Sequence, residues 1–281
     1  MTDPPARQEE IKEAVRRLAA GGYLESVPGR RGVTSDLTID ESLILHSIGW
    51  EPVELVCGVS TYSIPVGLWN WGSGEVVPAS DAWLRAVRSA GQKLQAECHN
   101  VLGHGVVGVH VEVSVERHLV NAVLVGTAVA PVDVRRAPAA PFVSDLSCRD
   151  FALLHQAGWD PIGLASGASF MNVPRRDAVT ALRQSTQNVE LTNFTEALYS
   201  ARESAMERMQ ESAEQLGGEG VVAVQVSEGP MEFARHAIRF TAWGTAVRRS
   251  ERPPTLGRPR IVVSVDDQML GFEAASLRGS G

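Results

Sequence analysis

The feature that most constrains this chain is a stretch written into it twice. Residues 34–60 superpose on residues 143–169 without a gap, and 11 of the 27 pairs are identical. The first copy carries Ser35-Asp36-Leu37, His46 and Gly49-Trp50-Glu51-Pro52; the second carries Ser144-Asp145-Leu146, His155 and Gly158-Trp159-Asp160-Pro161. A repeat of this length implies one folding unit per copy. The 281 residues, 44% of them apolar, suffice for two cores of about a hundred residues each.

Each copy opens with a capping signal, Thr38 with Glu41 and Ser147 with Asp150, a hydroxyl followed three positions later by an acid. A short helix follows and ends at Gly49 or Gly158, where a left-handed residue closes the last turn before Pro52 or Pro161. His46 and His155 share the last-turn slot, either as ligands or as imidazoles placed well at a helix C-terminus. Strands are expected over 53–60 and 162–169, with Gly58 and Gly167 in register as marks of a bulge or a close backbone approach. A long helix comes next in each copy. Ala82, Ala86, Ala90, Leu94 and Cys98 line it behind a cap at Ser80, and Leu198, Ala201, Ala205 and Met209 line its counterpart up to Gly217-Gly218. Two strands close each unit. In the first, Val107 to Val115 alternate with Gly108, His110, Glu112 and Ser114, the period-two signature of a strand buried on one face.

The expected fold class is therefore α+β: two repeated domains, each a small antiparallel or mixed β-sheet packed by one long helix and preceded by a short one. Boundaries fall at 1–33 (an N-terminal amphipathic helix over 6–20 and a connection), 34–130 (first unit) and 131–142 (a Pro-rich linker). Residues 143–248 form the second unit, and 249–281 a basic, Pro-rich tail with an edge strand at 261–265. The copies diverge after the first strand, where the first has an insertion with Tyr62, Trp69 and Trp71, a candidate contact surface for a protein partner.

Charge and cysteine usage narrow the function classes. A formal charge of −7 and a pI near 5.6, without Lys/Arg interleaved with aromatics, give a nucleic-acid or anionic-membrane partner no electrostatic support. Cys57, Cys98 and Cys148 are too scattered for a disulfide framework. With no leader-like start and no apolar run of roughly 18 residues, a cytoplasmic protein is expected.

The run Leu216-Gly217-Gly218-Glu219-Gly220-Val221-Val222-Ala223-Val224, followed by Gly244-Thr245-Ala246-Val247, resembles the YbjQ family, labelled as heavy-metal-binding domains. Leu102-Gly103-His104-Gly105 with Gly126-Thr127-Ala128-Val129 matches it in the first copy. The resemblance spans roughly 53–129 and 162–247. It implies a dodecin-like unit, a sheet with one helix across it, that assembles into homo-oligomeric rings, commonly pentamers. The family label adds a metal ion, but no recognised ligand spacing occurs in this chain, and no cofactor is expected beyond such an ion or another small ligand. The candidates for such an ion are His110 with Glu112, which alternation places on one strand face, then His104 and His99. The second copy has Gln225 for His110 and Glu219 for His104, so a duplicated metal site is not expected. No catalytic motif occurs. A non-enzymatic ring-forming protein, a scaffold recruiting a partner through its loops, and an enzyme assembled across subunits stand in that order.

Overall fold

The computed structural model describes residues 34–65, 74–134, 137–173, 192–231 and 234–256. The helix expected over 6–20, the Trp69 to Trp71 insertion and the strand expected at 261–265 lie outside the described residues. The elements in chain order are α1 (Ile39–Ser47), β1 (Trp50–Ser63), β2 (Gly74–Glu75), α2 (Val77–Asn100), β3 (Gly105–Glu116), β4 (Leu119–Pro131) and β5 (Phe142–Val143). They continue with α3 (Cys148–Gln156), β6 (Trp159–Asn172), α4 (Thr192–Gln215), β7 (Gly220–Met231) and β8 (Ala234–Arg249). These make an α+β fold with two four-stranded sheets, ordered β1-β4-β3-β5 and β2-β6-β8-β7.

Local chemistry explains the short helices. The Thr38 hydroxyl accepts from the Glu41 N–H while the Glu41 carboxylate accepts from the Thr38 N–H, which satisfies two orphan donors of α1. Ser147 accepts from the Asp150 N–H at the start of α3. Both helices stop where Gly49 (φ +78°) and Gly158 (φ +79°) turn left-handed. The chain then enters β1 and β6 directly, three residues earlier than alternation suggests. Pro52 and Pro161 sit at a register shift, where a missing N–H costs no ladder bond.

The long helices lie across their sheets on matching stripes. Ala82, Ala86, Ala90, Leu94 and Cys98 of α2 are buried, as are Ala197, Ala201, Ala205, Met209 and Ala213 of α4. Small side chains let the backbones meet. A Cβ built on Gly58 would stand 2.0 Å from the Ala90 carbonyl oxygen, and one on Gly167 would stand 1.9 Å from that of Ala205. Close approach, not a bulge, is what these two strand glycines serve.

The hairpin strands carry the bulges instead. β3 shifts register between Val107 and His110, and β7 between Val222 and Gln225, with Gly108 at φ +64° and Ala223 at φ +54°. Gly126 and Gly244 lie opposite, where a Cβ would come within 2.8 Å of Val106 and of the Val222 carbonyl respectively. The next residue of each motif, Thr127 or Thr245, accepts the N–H of Asp36 (3.2 Å) or Asp145 (3.1 Å). The Gly-Thr-Ala-Val motif thus accommodates the bulge and clasps the front segment.

The two sheets trade strands. β2, from the first half, adds antiparallel to β6 at Asn172 and Met171; β5, from the second, adds parallel to β3 at Gly105 and Val106. Ser80 is no N-cap. The helix begins at Val77 with Pro78 in its first turn, where no N–H is needed. Ser80 is buried, donates to Glu75 Oε1 (2.7 Å) and accepts the Phe170 N–H (3.1 Å).

Gly58→Ala or Gly167→Ala is expected to cost ~3 kcal/mol or more, because backbone must move against backbone. Gly108→Ala, with nothing within 4 Å of the new Cβ, is expected to cost ~1 kcal/mol from the left-handed φ alone. Urea unfolding of the three variants checks the order.

Candidate functional site

The polar and aromatic side chains that converge do so at the seam between the halves. Trp50, at the start of β1, is ringed edge-on by Phe151 (5.2 Å between centroids), Phe142 (6.1 Å), His155 (6.2 Å) and His104 (6.4 Å). Phe142 and Phe151 stack at 5.5 Å. Two elements of the second half, β5 and α3, thereby close over the first. Burial holds both imidazoles below their ordinary value, with Arg252 adding to the effect at His155, so both are neutral at neutral pH. Arg252 contacts His155 Nε2 and forms an ion pair with Asp160, which ties residues 252–256 back onto α3. His46, the counterpart of His155, is exposed.

A second polar knot stitches the other side of the seam. Arg208 of α4 pairs with both Glu75 oxygens (Nη2 to Oε2, 2.9 Å) and donates to the Ala168 carbonyl (2.7 Å). Burial alone would push the Glu75 carboxyl up; hydrogen bonds from Arg208 and Ser80 outweigh it and hold the carboxyl below its ordinary value. Lys93 occupies the matching place in the first half and donates to the Val59 carbonyl (2.7 Å). A cation bonded to the edge strand is thus common to both halves, whereas the carboxylate is specific to the seam.

The residues singled out for a metal are dispersed. His110 and Glu112 share the exposed face of β3. His99, in the last turn of α2, donates Nδ1–H to the Pro138 carbonyl (3.0 Å), since a carbonyl only accepts. His104 lies against Trp50, and its Nδ1 is buried without a hydrogen-bond partner among the described residues. Among the described residues no three His, Cys, Asp or Glu side chains gather closely enough to hold an ion. Tyr62 is a β1 residue, half-buried against the first core and not part of a loop; Trp69 and Trp71 lie outside the described residues.

Nucleophilic chemistry finds no purchase at the thiols. Burial pushes Cys57, Cys98 and Cys148 each up to about 12, helped at Cys57 by the Glu97 carboxylate and at Cys148 by Glu41. Sequence reasoning missed Glu75 and Arg208 and took Ser80 for a helix cap. The only available signal was Lys93 matching Arg208 between the copies.

Fold and seam define an α+β chain whose two four-stranded sheets exchange short strands. It belongs to the YbjQ-type family. Residues 168–250 match the family model described as "Putative heavy-metal-binding". Over 247 residues the chain is 35% identical to the Mycobacterium tuberculosis protein named "Encapsulin nanocompartment protein Rv1762c", covering 84% of this chain and 93% of that one. It is also similar to two UPF0145 proteins, 34% identical over 92 residues in Halorubrum lacusprofundi and 31% identical over 87 in Thermotoga maritima. These alignments cover 32% and 31% of this chain but 84% and 80% of the relatives. Among the described residues no helix is long and apolar enough to cross a membrane.

A carboxyl held below its ordinary 4.5 stabilises the fold at higher pH and loses that contribution as pH falls through the folded value. Glu75→Gln is expected to lower stability at pH 7 by roughly 1–2 kcal/mol, reduced from a fully buried pair because both side chains are partly exposed. The gap from the unmodified chain should close as pH drops below 4.5, which urea titrations at stepped pH would show.

Proposed function

We propose that the chain is a non-enzymatic structural protein, a tandem of one ancestral sheet-and-helix module, that works as a ring-forming homo-oligomer inside a larger protein assembly. The observation that carries this reading is the exchange of β2 and β5 between the halves. The module builds its contacts by lending strands, and a chain of two modules has one lending partner inside itself and a second set of faces outside. The full-length relative named for a nanocompartment supports an assembled role. The pushed-up thiols and the dispersed histidines support a role without nucleophilic chemistry.

A metal or small ligand belongs, in this reading, between chains. His110 and Glu112 stand on an exposed strand face where a ring would bring further copies near. Light scattering of the purified protein tests the assembly: a mass several-fold above the single-chain 30.2 kDa is expected. A particle of 30.2 kDa at every concentration would overturn it. Elemental analysis after exposure to divalent metals tests the ligand. Stoichiometric metal that is lost on His110→Ala is expected, and metal-free protein removes that part.

A further inference from the structure

Resting on the homo-oligomeric reading above, we propose that a second copy of this chain completes the module contact left open, head to tail. The first half of the next copy repeats, against the second half of this one, the seam that joins the two halves within the chain.

The internal repeat allows each seam residue to be compared with its counterpart. Within the chain, segment 142–146 crosses to the outer edge of β3. Ser144 donates N–H to the Val106 carbonyl (2.9 Å), Val109 donates to the Ser144 carbonyl (3.0 Å), and Gly108 donates to the Leu146 carbonyl (2.8 Å). The counterpart edge is β7, the last strand of its sheet. The counterpart segment, 34–37, is clasped on its inner side by Thr127. The same register would join Ser35 N–H of the next copy to the Val221 carbonyl, and Val224 and Ala223 N–H to the carbonyls of Ser35 and Leu37. The bulge that presents these groups in β3 is repeated in β7, with Ala223 holding the left-handed φ of Gly108. A left-handed alanine costs stability, which is consistent with a conformation retained for the edge it shapes.

Burial differs between counterparts in the way a missing partner requires. Cys148 of α3 is buried in a cluster with Leu45, Val107 and Val129 of the first half, and Ala152 is buried too, whereas Ile39 and Leu43 at those positions in α1 are 80% and 62% exposed. Val109 and Val111 of β3 are buried in a cluster that includes Ala168 and Phe170 of the second half. Val224 and Val226 of β7 are 41% and 58% exposed. The donor face and the acceptor face thus both lie open, and each is apolar where its internal counterpart is covered. The next copy's α1 would also bring His46 to Trp159 as α3 brings His155 to Trp50, with Glu219 in the place of His104. Arg202 for Val87 and Tyr199 for Leu84 make the outer surface of α4 more polar than that of α2, as suits a contact between chains. Because donor and acceptor faces differ, the contact is heterologous and propagates until it closes.

Thr34 and Val221 are the counterparts of Val143 and Val106, which are paired in register. Thr34→Cys on one copy and Val221→Cys on another, co-produced and oxidised, should give a disulfide-linked species at twice 30.2 kDa. Neither variant alone should give it. Ile39→Asp with Leu43→Asp should reduce the native mass to a single chain while far-UV circular dichroism keeps its helical signal. If that variant fails to fold, the mixed disulfide decides alone. An oligomer that survives Ile39→Asp with Leu43→Asp and forms no mixed disulfide overturns this seam and leaves the homo-oligomeric reading standing. A single-chain mass for the unmodified protein overturns both, and is the outcome expected if the chain's own terminal segments cover these faces.

Discussion

Everything in this fold depends on two places where a helix backbone touches a strand backbone. At Gly58 and Gly167 the space for a side chain is occupied by the carbonyl of Ala90 or Ala205. That contact sets the distance of each long helix from its sheet, and the distance in turn admits only small residues along the buried stripe: Ala82, Ala86 and Ala90 in one helix, Ala197, Ala201 and Ala205 in the other. Close packing of this kind gains dispersion over many small contacts and leaves the helix no freedom to shift along the sheet. With its inner face so fixed, α2 presents Ala79, Ser80, Trp83 and Val87 outward at a set height, all of them buried.

The seam follows from that height. Ser80 reaches the Phe170 N–H and the Glu75 carboxylate only because α2 carries it to the edge of β6. β2 then needs just two residues to complete the edge. An unpaired strand edge invites any other chain, and covering it with a short strand, a buried hydroxyl and an ion pair removes that liability at β6. The corresponding stretch of β1 has the Val59 carbonyl bonded to Lys93 and the Cys57 N–H bonded to Glu97 (2.5 Å). The first half therefore guards its own edge with side chains where the second half is guarded by its neighbour.

What the sequence made legible was everything set by neighbours along the chain. Capping at Thr38 and Ser147, the stops at Gly49 and Gly158, the alanine stripes and the alternation of Val109, Val111 and Val113 all read out as helices and strands in their places. Gly58 and Gly167 announced a special contact before its partner was visible. The hidden part was nonlocal. Two-residue strands such as Gly74–Glu75 and Phe142–Val143 carry no period to detect, and Ser80 looked like a cap because a hydroxyl near a helix start usually is one. Alternation placed His110 and Glu112 on one face without saying what stands opposite, and within one chain no third ligand does so among the described residues.

On the proposed reading of one module written twice, joining the copies changes what assembly can mean. The UPF0145 relatives align with about a third of this chain and over most of their own length, whereas this chain carries the repeated stretch twice. Linking the copies makes one seam intramolecular, formed at high effective concentration whatever the protein level, and on the head-to-tail reading frees the contact between chains to differ from it. The counterpart positions do differ: His104 lies at the internal seam where its counterpart Glu219 is exposed, and Val87 corresponds to Arg202. A parity constraint follows for any closed ring in which both halves of every chain take part in sequence, because the number of units must be even. A five-unit ring of the kind the family resemblance implies is then unreachable by that route. Five chains would close ten units in one circle, or each half would have to sit in a separate ring of five. On the head-to-tail reading proposed above the single circle is the consistent arrangement, since that reading uses the two halves as consecutive members joined by the same strand contact.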